Sequence, residues 1–436
     1  MSLQILINNS SDPRAAYIGW APKPCRITST DTVNRTVVLR NRNPGTRNLG
    51  TGGQVVFMTS VTGPPQDELP LTVPANSSNV SFFIAGKFDR TTGRGFPSTN
   101  DRDAEISIIN SSTSAEIGTK ALMVRVRKNA NSLSAGERDR FLSALVRLNN
   151  QPKFLDFQNM HTTAASAEIH KRACFLPWHR GYLLDLERRL QVIDASVALP
   201  YWKFDAPAPN VFTRDFMGIP DGTGLVDFTN TNPLISWTLR IFGEGNGRIR
   251  RIPSFNTSTQ KASEVQNSEN ATLALGSGRR GIYSDFRNNM EADPHGAAHR
   301  SFEGQIGAIG RAPADPLFFM LHTNIDRLWA KWQWITSGNR YDPADSNAYN
   351  RQGSGNPRLG SHEGIGNYTL DTMWPWNGEL GRPRPPVAPG GPYPASPLTV
   401  SAPGDTPQVR SMIDFQGQRT RASELGFAYD DVPFDF

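Results

Sequence analysis

The chain has 436 residues, of which 37% are hydrophobic and 20% charged, which is typical of a globular protein with a sizeable core and excludes an intrinsically disordered one. Its net charge of +6 comes from 46 basic and 40 acidic residues, without any run long enough to indicate a nucleic-acid or membrane partner. The two cysteines, Cys25 and Cys174, exclude a disulfide framework and are expected to be buried thiols.

The first residues do not have the pattern of a targeting signal. Met1–Ile5 is followed by neither a basic region nor a continuous apolar stretch, so the sequence predicts no signal peptide and no membrane span. The default expectation is a cytoplasmic location, and export with a partner stays open.

From residue 1 to about residue 120 the sequence predicts a β-sandwich-like accessory domain. Short runs such as Thr36–Leu39, Gln54–Met58 and Val80–Ile84 recur there, and clusters of Gly, Pro, Asn and Ser separate them. This spacing indicates about seven strands. The role of the domain is open between a stability or partner-binding module and a cover that keeps the second domain latent.

The second domain, residues 121–436, is predicted to be mainly α with long loops and a Pro- and Gly-rich C-terminal part. Ser134, with Glu137 three residues later, precedes an apolar periodic run, which is the pattern of a capped helix. Two later helix starts are marked by Asp293–Pro294 and Asp315–Pro316, because Asp at the N-cap and Pro at the next position both favour initiation.

Six of the seven histidines fall into two clusters, His161, His170 and His179, then His295, His299 and His322. In the second cluster the first two histidines are four residues apart on a predicted helix, so both rings project from one face and can bind one metal. His322 lies early on the next predicted helix. His161 and His170 are assigned to the first cluster partly because no other histidine lies upstream.

The donor set favours copper. Six neutral imidazoles without a cysteine motif suit a pair of copper ions, whereas a di-iron or di-manganese bundle needs Glu-x-x-His pairs. A zinc hydrolase with the H-E-x-x-H motif needs Glu directly after the first histidine, where this chain has Gly296.

Two long motifs resemble those of the tyrosinase, catechol oxidase and haemocyanin group of type 3 copper proteins. Phe175–Arg180 is similar to the first copper signature of that family, and Asp315–Trp329 is similar to the second. Shorter similarities lie at Val126–Asn129, Leu199–Trp202, Met373–Trp376 and Leu425–Asp430. Together they cover about residues 123–430 and leave the N-terminal domain unexplained.

The resemblance implies a four-helix-bundle core that holds two copper ions, with O2 as co-substrate. It assigns CuA to His161, His170 and His179, and CuB to His295, His299 and His322. The implied activity is that of a polyphenol oxidase, which converts phenolic substrates to o-quinones. A haemocyanin-like oxygen carrier is the alternative, less favoured because such carriers are very large assemblies. A copper-delivery partner and the oligomeric state stay open.

Four single positions also match the family. Glu291 resembles the acidic residue that holds a water near the site, Ile309 the gate residue above CuB, and Arg300 a position that influences substrate choice. Phe318 is similar to the aromatic residue that packs against a copper ligand. Structural roles are the alternatives, namely core packing for Phe318 and Ile309 and the helix dipole for Glu291.

Asp326 lies one turn after His322 and is placed to accept a ring N–H from it, which would fix the tautomer. A local salt bridge with Arg327 or Arg300 is the alternative.

Gly296 is a departure from the family pattern, since many tyrosinases have Asn directly after the first CuB histidine. That Asn helps the glutamate to orient a water that deprotonates a monophenol, so general-base assistance should be weaker in this chain. We therefore expect oxidation of o-diphenols or o-aminophenols to exceed hydroxylation of monophenols. In addition, no cysteine lies two residues before His170 to form the thioether of some relatives.

Overall fold

The computed structural model describes residues 3–43, 52–77, 79–88, 95–152, 154–161, 169–171, 173–239, 247–276, 283–335, 373, 409–413, 415 and 426–432. Most of the Pro- and Gly-rich C-terminal part lies outside these residues. Contacts divide the chain into two compact units. The first comprises Met1–Arg127, Gln416–Gln418 and Gly426–Phe436, and the second comprises Lys128–Phe415 and Arg419–Leu425. The domain boundary near residue 120 stays a prediction.

The described part of the first unit is built from β-strands. They are β1 (Leu3–Ile7), β2 (Tyr17–Ile18), β3 (Lys23–Ser29), β4 (Arg35–Asn41), β5 (Val55–Met58), β6 (Glu68–Val73), β7 (Val80–Gly86), β8 (Ala104–Asn110) and β9 (Glu116–Val124). One sheet has the order β1-β3-β7-β5 and the other β2-β9-β8-β4-β6. The described residues thus form nine strands instead of about seven, and the two-residue β2 is too short for a periodic pattern to indicate.

Alternation of side chains along the strands builds the core of this unit. On β3 the residues Cys25 and Ile27 are buried, and on β4 so are Val37 and Leu39, which is the period-2 pattern of strands with one face against a core. Cys25 and Cys174 are both buried free thiols, as expected, and burial raises the pKa of Cys25 to about 12.

A short C-terminal segment packs within the first unit. The N–H of Trp20 donates to the carbonyl oxygen of Gly426 at 2.7 Å, and Gly426 has φ +57 and no room for a Cβ beside Ala21. The Arg127 guanidinium donates to the Tyr429 hydroxyl at 2.9 Å. Contacts therefore group residues 426–432 with the β-unit, although the sequence analysis assigned them to the second domain.

The second unit carries the helices. Those in the described residues are α1 (Ala135–Asn149), α2 (Phe154–Asn159), α3 (Phe175–Ile193), α4 (Glu269–Ala274), α5 (Tyr283–Met290), α6 (Ala297–Arg300), α7 (Leu317–Ile335) and α8 (Val409–Ile413). Short strand pairs also occur here, β10 (Ile219–Pro220) with β11 (Val226–Asp227) and β12 (Arg251–Pro253) with β13 (Phe302–Gly304). The prediction of a mainly α chain is therefore correct only for the second unit.

The long helices α3 and α7 form the centre of the second unit. They pack against each other, and α3 also contacts α1 and α8. Both are buried over most of their surface, as expected for helices surrounded by other elements. Among the described residues, no helix is long and apolar enough to cross a membrane.

Two predicted helix starts are confirmed by their caps. Ser134 accepts the backbone N–H of Glu137, and the Glu137 side chain accepts the backbone N–H of Ser134, which completes a capping box. Asp315 accepts the N–H of Leu317 at 2.9 Å. At the third start, Asp293 has an extended backbone (φ −149, ψ 119) and interrupts the helical turn Glu291–Gly296 that joins α5 to α6.

Candidate metal centre

All six clustered histidines lie in the second unit and are buried. His161 follows α2 and His170 precedes α3, whereas His179 is on α3. His295 is in the turn before α6, His299 on α6 and His322 on α7. Three separate parts of the chain therefore bring the rings into one region.

The ring nitrogens form two adjacent groups that could each hold a metal ion. One contains His161, His179 and His322, the other contains His295, His299 and His322, and within each group the ligand atoms lie within 4.8 Å of one another. His322 is common to both. The ring centroids of His179 and His322 are 4.4 Å apart, so the two sequence clusters meet in space.

His170 lies beside the first group. Its ring centroid is 4.8 Å from that of His161 and 5.4 Å from that of His179. It also stacks on His295 of the second group, with ring centroids 6.1 Å apart. These distances are compatible with the predicted CuA set, whose assignment stays a prediction.

Backbone carbonyls fix the tautomers of four rings. Nδ1 of His179 lies 2.7 Å from the carbonyl oxygen four residues earlier, and His295 makes the same contact at 3.0 Å. Nδ1 of His161 lies 3.1 Å from the carbonyl oxygen of Ile309, and that of His299 lies 2.7 Å from that of Ile306. Because a carbonyl only accepts, each Nδ1 carries the proton, and each Nε2 presents a lone pair.

The Nε2 atoms of His161, His179 and His295 are buried and have no hydrogen-bond partner among the described residues. An unpaired buried polar atom is costly, so three such atoms, two in one histidine group and one in the other, indicate sites for a positively charged partner. An all-imidazole donor set with lone pairs held in place fits copper. The residues present therefore fit a pair of copper ions.

The pKa values of the six histidines are shifted in the direction that metal binding requires. Burial, followed by the charge of neighbouring histidines, lowers the pKa of His161 to about 3, and burial lowers the pKa of His299 to about 4. The pKa values of His170, His179, His295 and His322 are lowered for the same first cause. The rings stay neutral and able to bind metal at pH 7.

We expect the copper-free protein to lose stability as pH falls from about 6.5 to 5. The folded pKa of each histidine lies below 6.5, so the unfolded chain takes up protons that the folded chain does not. Each such residue contributes up to about 1.4 kcal/mol per pH unit. Denaturant unfolding of the copper-free protein at several pH values measures this slope.

Acidic groups with lowered pKa values change the stability little between pH 6.5 and 5, because they titrate at lower pH. The pKa of Glu269, for example, is lowered to about 2 by Arg327 and Lys331, against the cost of burial. A His299→Gln variant should show a shallower slope. A stability that does not change between pH 6.5 and 5 would contradict the buried neutral state of these rings.

Phe318 and Ile309 lie against the rings in different ways. The Phe318 ring packs between the clusters, with its centroid 4.3 Å from that of His322 and 4.8 Å from that of His161. The side chain of Ile309 is exposed, at 57%, while its carbonyl oxygen accepts the His161 ring proton. Any gating by this side chain is therefore separable from the positioning by its backbone.

Glu291 contacts both clusters. Its carboxylate accepts the backbone N–H of Lys171 at 2.6 Å and the guanidinium of Arg287 at 2.8 Å, and its carbonyl oxygen faces Nδ1 of His295. Burial raises the pKa of Glu291, and Arg287 opposes this shift. Two of the carboxylate's acceptor positions are thus already used by the protein.

Gly296 follows His295 and lies near the exposed side chain of Arg300. A Cβ at this position would be 2.9 Å from Nη1 of Arg300 and 3.2 Å from the carbonyl oxygen of Glu291. The backbone of Gly296 is helical (φ −61, ψ −33), so a larger residue causes no backbone strain. The Arg300 side chain can move away, but the carbonyl oxygen of Glu291 would have to shift by a few tenths of an ångström.

Asp326 does not make the predicted contact with His322. It pairs with the buried guanidinium of Arg180, while Nδ1 of His322 has no hydrogen-bond partner among the described residues. Arg327, one of the two alternative partners, pairs with Glu269. The spacing of one turn was compatible with both alternatives. In the structure, however, the carboxylate of Asp326 binds the guanidinium of Arg180 on α3.

The motifs of the sequence did not indicate the backbone carbonyls that accept the ring protons of four histidines. For His179 and His295 the signal was available, because their acceptors lie four residues earlier, one helical turn away. For His161 the acceptor is 148 residues away, and no sequence pattern indicates it.

The fold and the site together define a protein with two adjacent groups of histidines, each of which could hold a metal ion.

Comparison with known proteins narrows this class. The model of the common central domain of tyrosinase matches residues 151–335. A tyrosinase from Streptomyces glaucescens is 33% identical over 244 residues, which cover 50% of this chain and 86% of that protein. One from Streptomyces antibioticus is 32% identical over 273 residues, covering 58% and 93% respectively. Deoxygenated hemocyanin from Rapana thomasiana shares the fold, with a TM-score of 0.50 at 20% identity over 71% of this chain and 70% of that one.

The chain therefore belongs to the tyrosinase family of type 3 dicopper proteins, as its two copper motifs predicted. It is a type 3 copper oxidoreductase that uses two copper ions and O2.

Proposed function

We propose that this protein is a polyphenol oxidase that oxidises o-diphenols to o-quinones, or o-aminophenols to o-quinone imines, faster than it hydroxylates monophenols. The observation that carries this proposal is the absence of a side chain at Gly296, which lies near the carbonyl oxygen of Glu291. The carboxylate of Glu291 already accepts two hydrogen bonds, from Lys171 and Arg287.

In this proposal His161, His170 and His179 hold one copper ion, and His295, His299 and His322 hold the other. When bound, the copper pair supplies the redox chemistry that couples O2 reduction to oxidation of a phenolic ring. Carbonyl oxygens hold the proton at Nδ1 of four rings, which keeps the Nε2 lone pairs directed inward. Phe318 packs between the clusters and excludes water from the rings.

The preference for diphenols follows from proton transfer. Oxidation of two catechols by one O2 gives two o-quinones and two waters, and the four protons lost from the hydroxyl groups are those that the waters need. Hydroxylation of a monophenol additionally inserts oxygen into the ring and requires early removal of the phenolic proton by a base. A water oriented by one group instead of two is a weaker base in this role.

Two exposed side chains are proposed to act on the substrate. Ile309, a branched aliphatic residue, leaves the approach to the second group fairly open, so bulky phenols are tolerated. Arg300 places a positive charge next to Gly296 and is proposed to influence substrate choice.

The direct test compares oxidation rates of the copper-loaded protein with tyrosine, simple monophenols, catechols and o-aminophenols. We expect catechols and o-aminophenols to react faster than monophenols. Faster monophenol hydroxylation would contradict the proposal.

An oxygen-carrying function is the second candidate, because the hemocyanin of Rapana thomasiana has the same fold. Catechol added in air to the copper-loaded protein separates the two. Quinone formation supports the enzyme, whereas an oxygen-dependent absorption band without any quinone would favour the carrier.

Gly296→Asn is expected to raise the ratio of monophenol to diphenol activity by about tenfold, because it restores a second group that can orient a water near Glu291. Gly296→Ala is the matched control, since it displaces Arg300 to the same extent without adding an amide. Steady-state rates with tyrosine and its diphenol measure the ratio. If both variants change it equally, the space beside Arg300 and not the amide decides specificity.

A further inference from the structure

Glu291 connects the two histidine clusters through different atoms. Its carbonyl oxygen lies 3.0 Å from Nδ1 of His295, in the second cluster. Its carboxylate accepts the backbone N–H of Lys171 at 2.6 Å, and Lys171 directly follows His170 of the first cluster. Glu291 therefore anchors the backbone next to the His170 ring and also orients the His295 ring.

The Lys171 backbone needs such an anchor. Its φ is +56, in the left-handed region that a residue with a Cβ adopts at a steric cost. A charged acceptor on the Lys171 N–H offsets that cost, because hydrogen bonds to an ionised group are stronger than those to neutral ones. Without it, the preceding His170 would lose a fixed position.

Arg287 controls where this acceptor points. It lies one turn before Glu291, and its Nη1 is 2.8 Å from the second carboxylate oxygen. The side chains of Arg287 and Glu291 are only 8% and 10% exposed. A buried carboxylate without a cation would be costly, so Arg287 both balances its charge and fixes its rotamer.

We infer that Arg287 is a positioning residue, which through Glu291 and the Lys171 N–H holds the His170 ring beside His161 and His179. It acts on the backbone next to His170 of the first cluster, and leaves the His295 contact to the Glu291 backbone. This inference rests on the proposed function only in taking His170 as a copper ligand.

The test is a Cu(I) competition titration of the full chain against a chromophoric chelator. Arg287→Met should weaken binding of one of the two copper ions by about 10- to 100-fold, the usual effect of losing an outer-sphere partner. The other ion should keep its affinity, because the Glu291 carbonyl is unchanged. Asn288→Ala, an exposed position on the same helix, is the matched control and should bind both ions as the original chain does.

Two further variants separate positioning from general stability. Arg287→Lys keeps the charge and should recover part of the affinity. Lys171→Gly, combined with Arg287→Met, should also recover part of it, because glycine adopts the left-handed conformation without an anchor. A local helix-stabilising role for Arg287 predicts no recovery from the change at Lys171, so a double variant as weak as Arg287→Met would overturn the inference.

Failure of the proposed function looks different. If the original chain binds two copper ions and oxidises catechol, but Arg287→Met retains both ions with full affinity, the positioning role alone is wrong. If the original chain binds fewer than two ions, or binds two without oxidising catechol, the proposed function is wrong. Far-UV circular dichroism of each copper-free variant establishes whether the chain is folded. If Arg287→Met does not fold, the copper affinity of Arg287→Lys is measured in its place.

Discussion

His299→Ala is expected to reduce the bound copper from two ions per chain to about one, and to slow catechol oxidation by roughly a thousandfold or more. His299 belongs to one of the two metal groups, and its Nε2 is 3.2 Å from that of His322. Two ligands of that group remain, which is too few for tight binding. Metal catalysis contributes several kcal/mol, and each 1.36 kcal/mol corresponds to a factor of ten in rate.

Copper content by elemental analysis, together with the rate of quinone formation, measures this effect. Glu303→Ala is a suitable control, since Glu303 is exposed and lies four residues beyond His299. His299→Gln tests the same ligand with a side chain of similar size, in case the alanine variant does not fold. Retention of two copper ions and full turnover by both variants would exclude His299 as a ligand and, with it, the proposed ligand set His295, His299 and His322.

The sequence alone predicted the features that depend on local patterns. Histidines at i and i+4, the helix start at Asp315–Pro316 and the capping box at Ser134 are all encoded within one or two helical turns. The long copper motifs carried the family resemblance for the same reason. Short β-type runs separated by clusters of Gly, Pro, Asn and Ser likewise indicated a β-rich N-terminal part, since each strand and each turn is encoded locally.

Contacts between distant segments could not be predicted. The carbonyls of Ile306 and Ile309 orient one ring of each cluster, but any residue has a carbonyl, so no residue type marks them. Asp326 shows the opposite difficulty. Its residue type and spacing were suggestive, yet the choice between His322, Arg327, Arg300 and Arg180 depends on how α3 packs on α7. The ion-pair partner of a buried charged residue therefore depends on how the helices pack, and not on distance along the sequence.

Asp315→Ala is expected to destabilise the protein by about 3–5 kcal/mol, the cost of leaving a buried charge without its partner. Asp315 accepts the N–H of Leu317 at the start of α7 and pairs with the guanidinium of Arg251, and both side chains are fully buried. The sequence indicated the cap but not the ion pair, whose partner is 64 residues away. Loss of the cap contributes only about 1 kcal/mol of the expected effect.

Denaturant unfolding of the copper-free chain measures the loss, and Asp315→Asn separates its two parts. Asparagine keeps an acceptor for the helix cap but removes the charge. If Asp315→Asn lowers the free energy of unfolding almost as much as Asp315→Ala, the ion pair contributes most of the stability. Adding Arg251→Met to Asp315→Asn should recover much of the stability, because the unpaired charge is then absent. If the double variant is no more stable than Asp315→Asn, loss of the hydrogen bond from Arg251 to the carbonyl oxygen of Met217, 2.7 Å long, offsets the removal of the unpaired charge. Since α7 carries Phe318 and His322, a shifted helix start should also lower copper affinity, which links this capping residue to the metal groups.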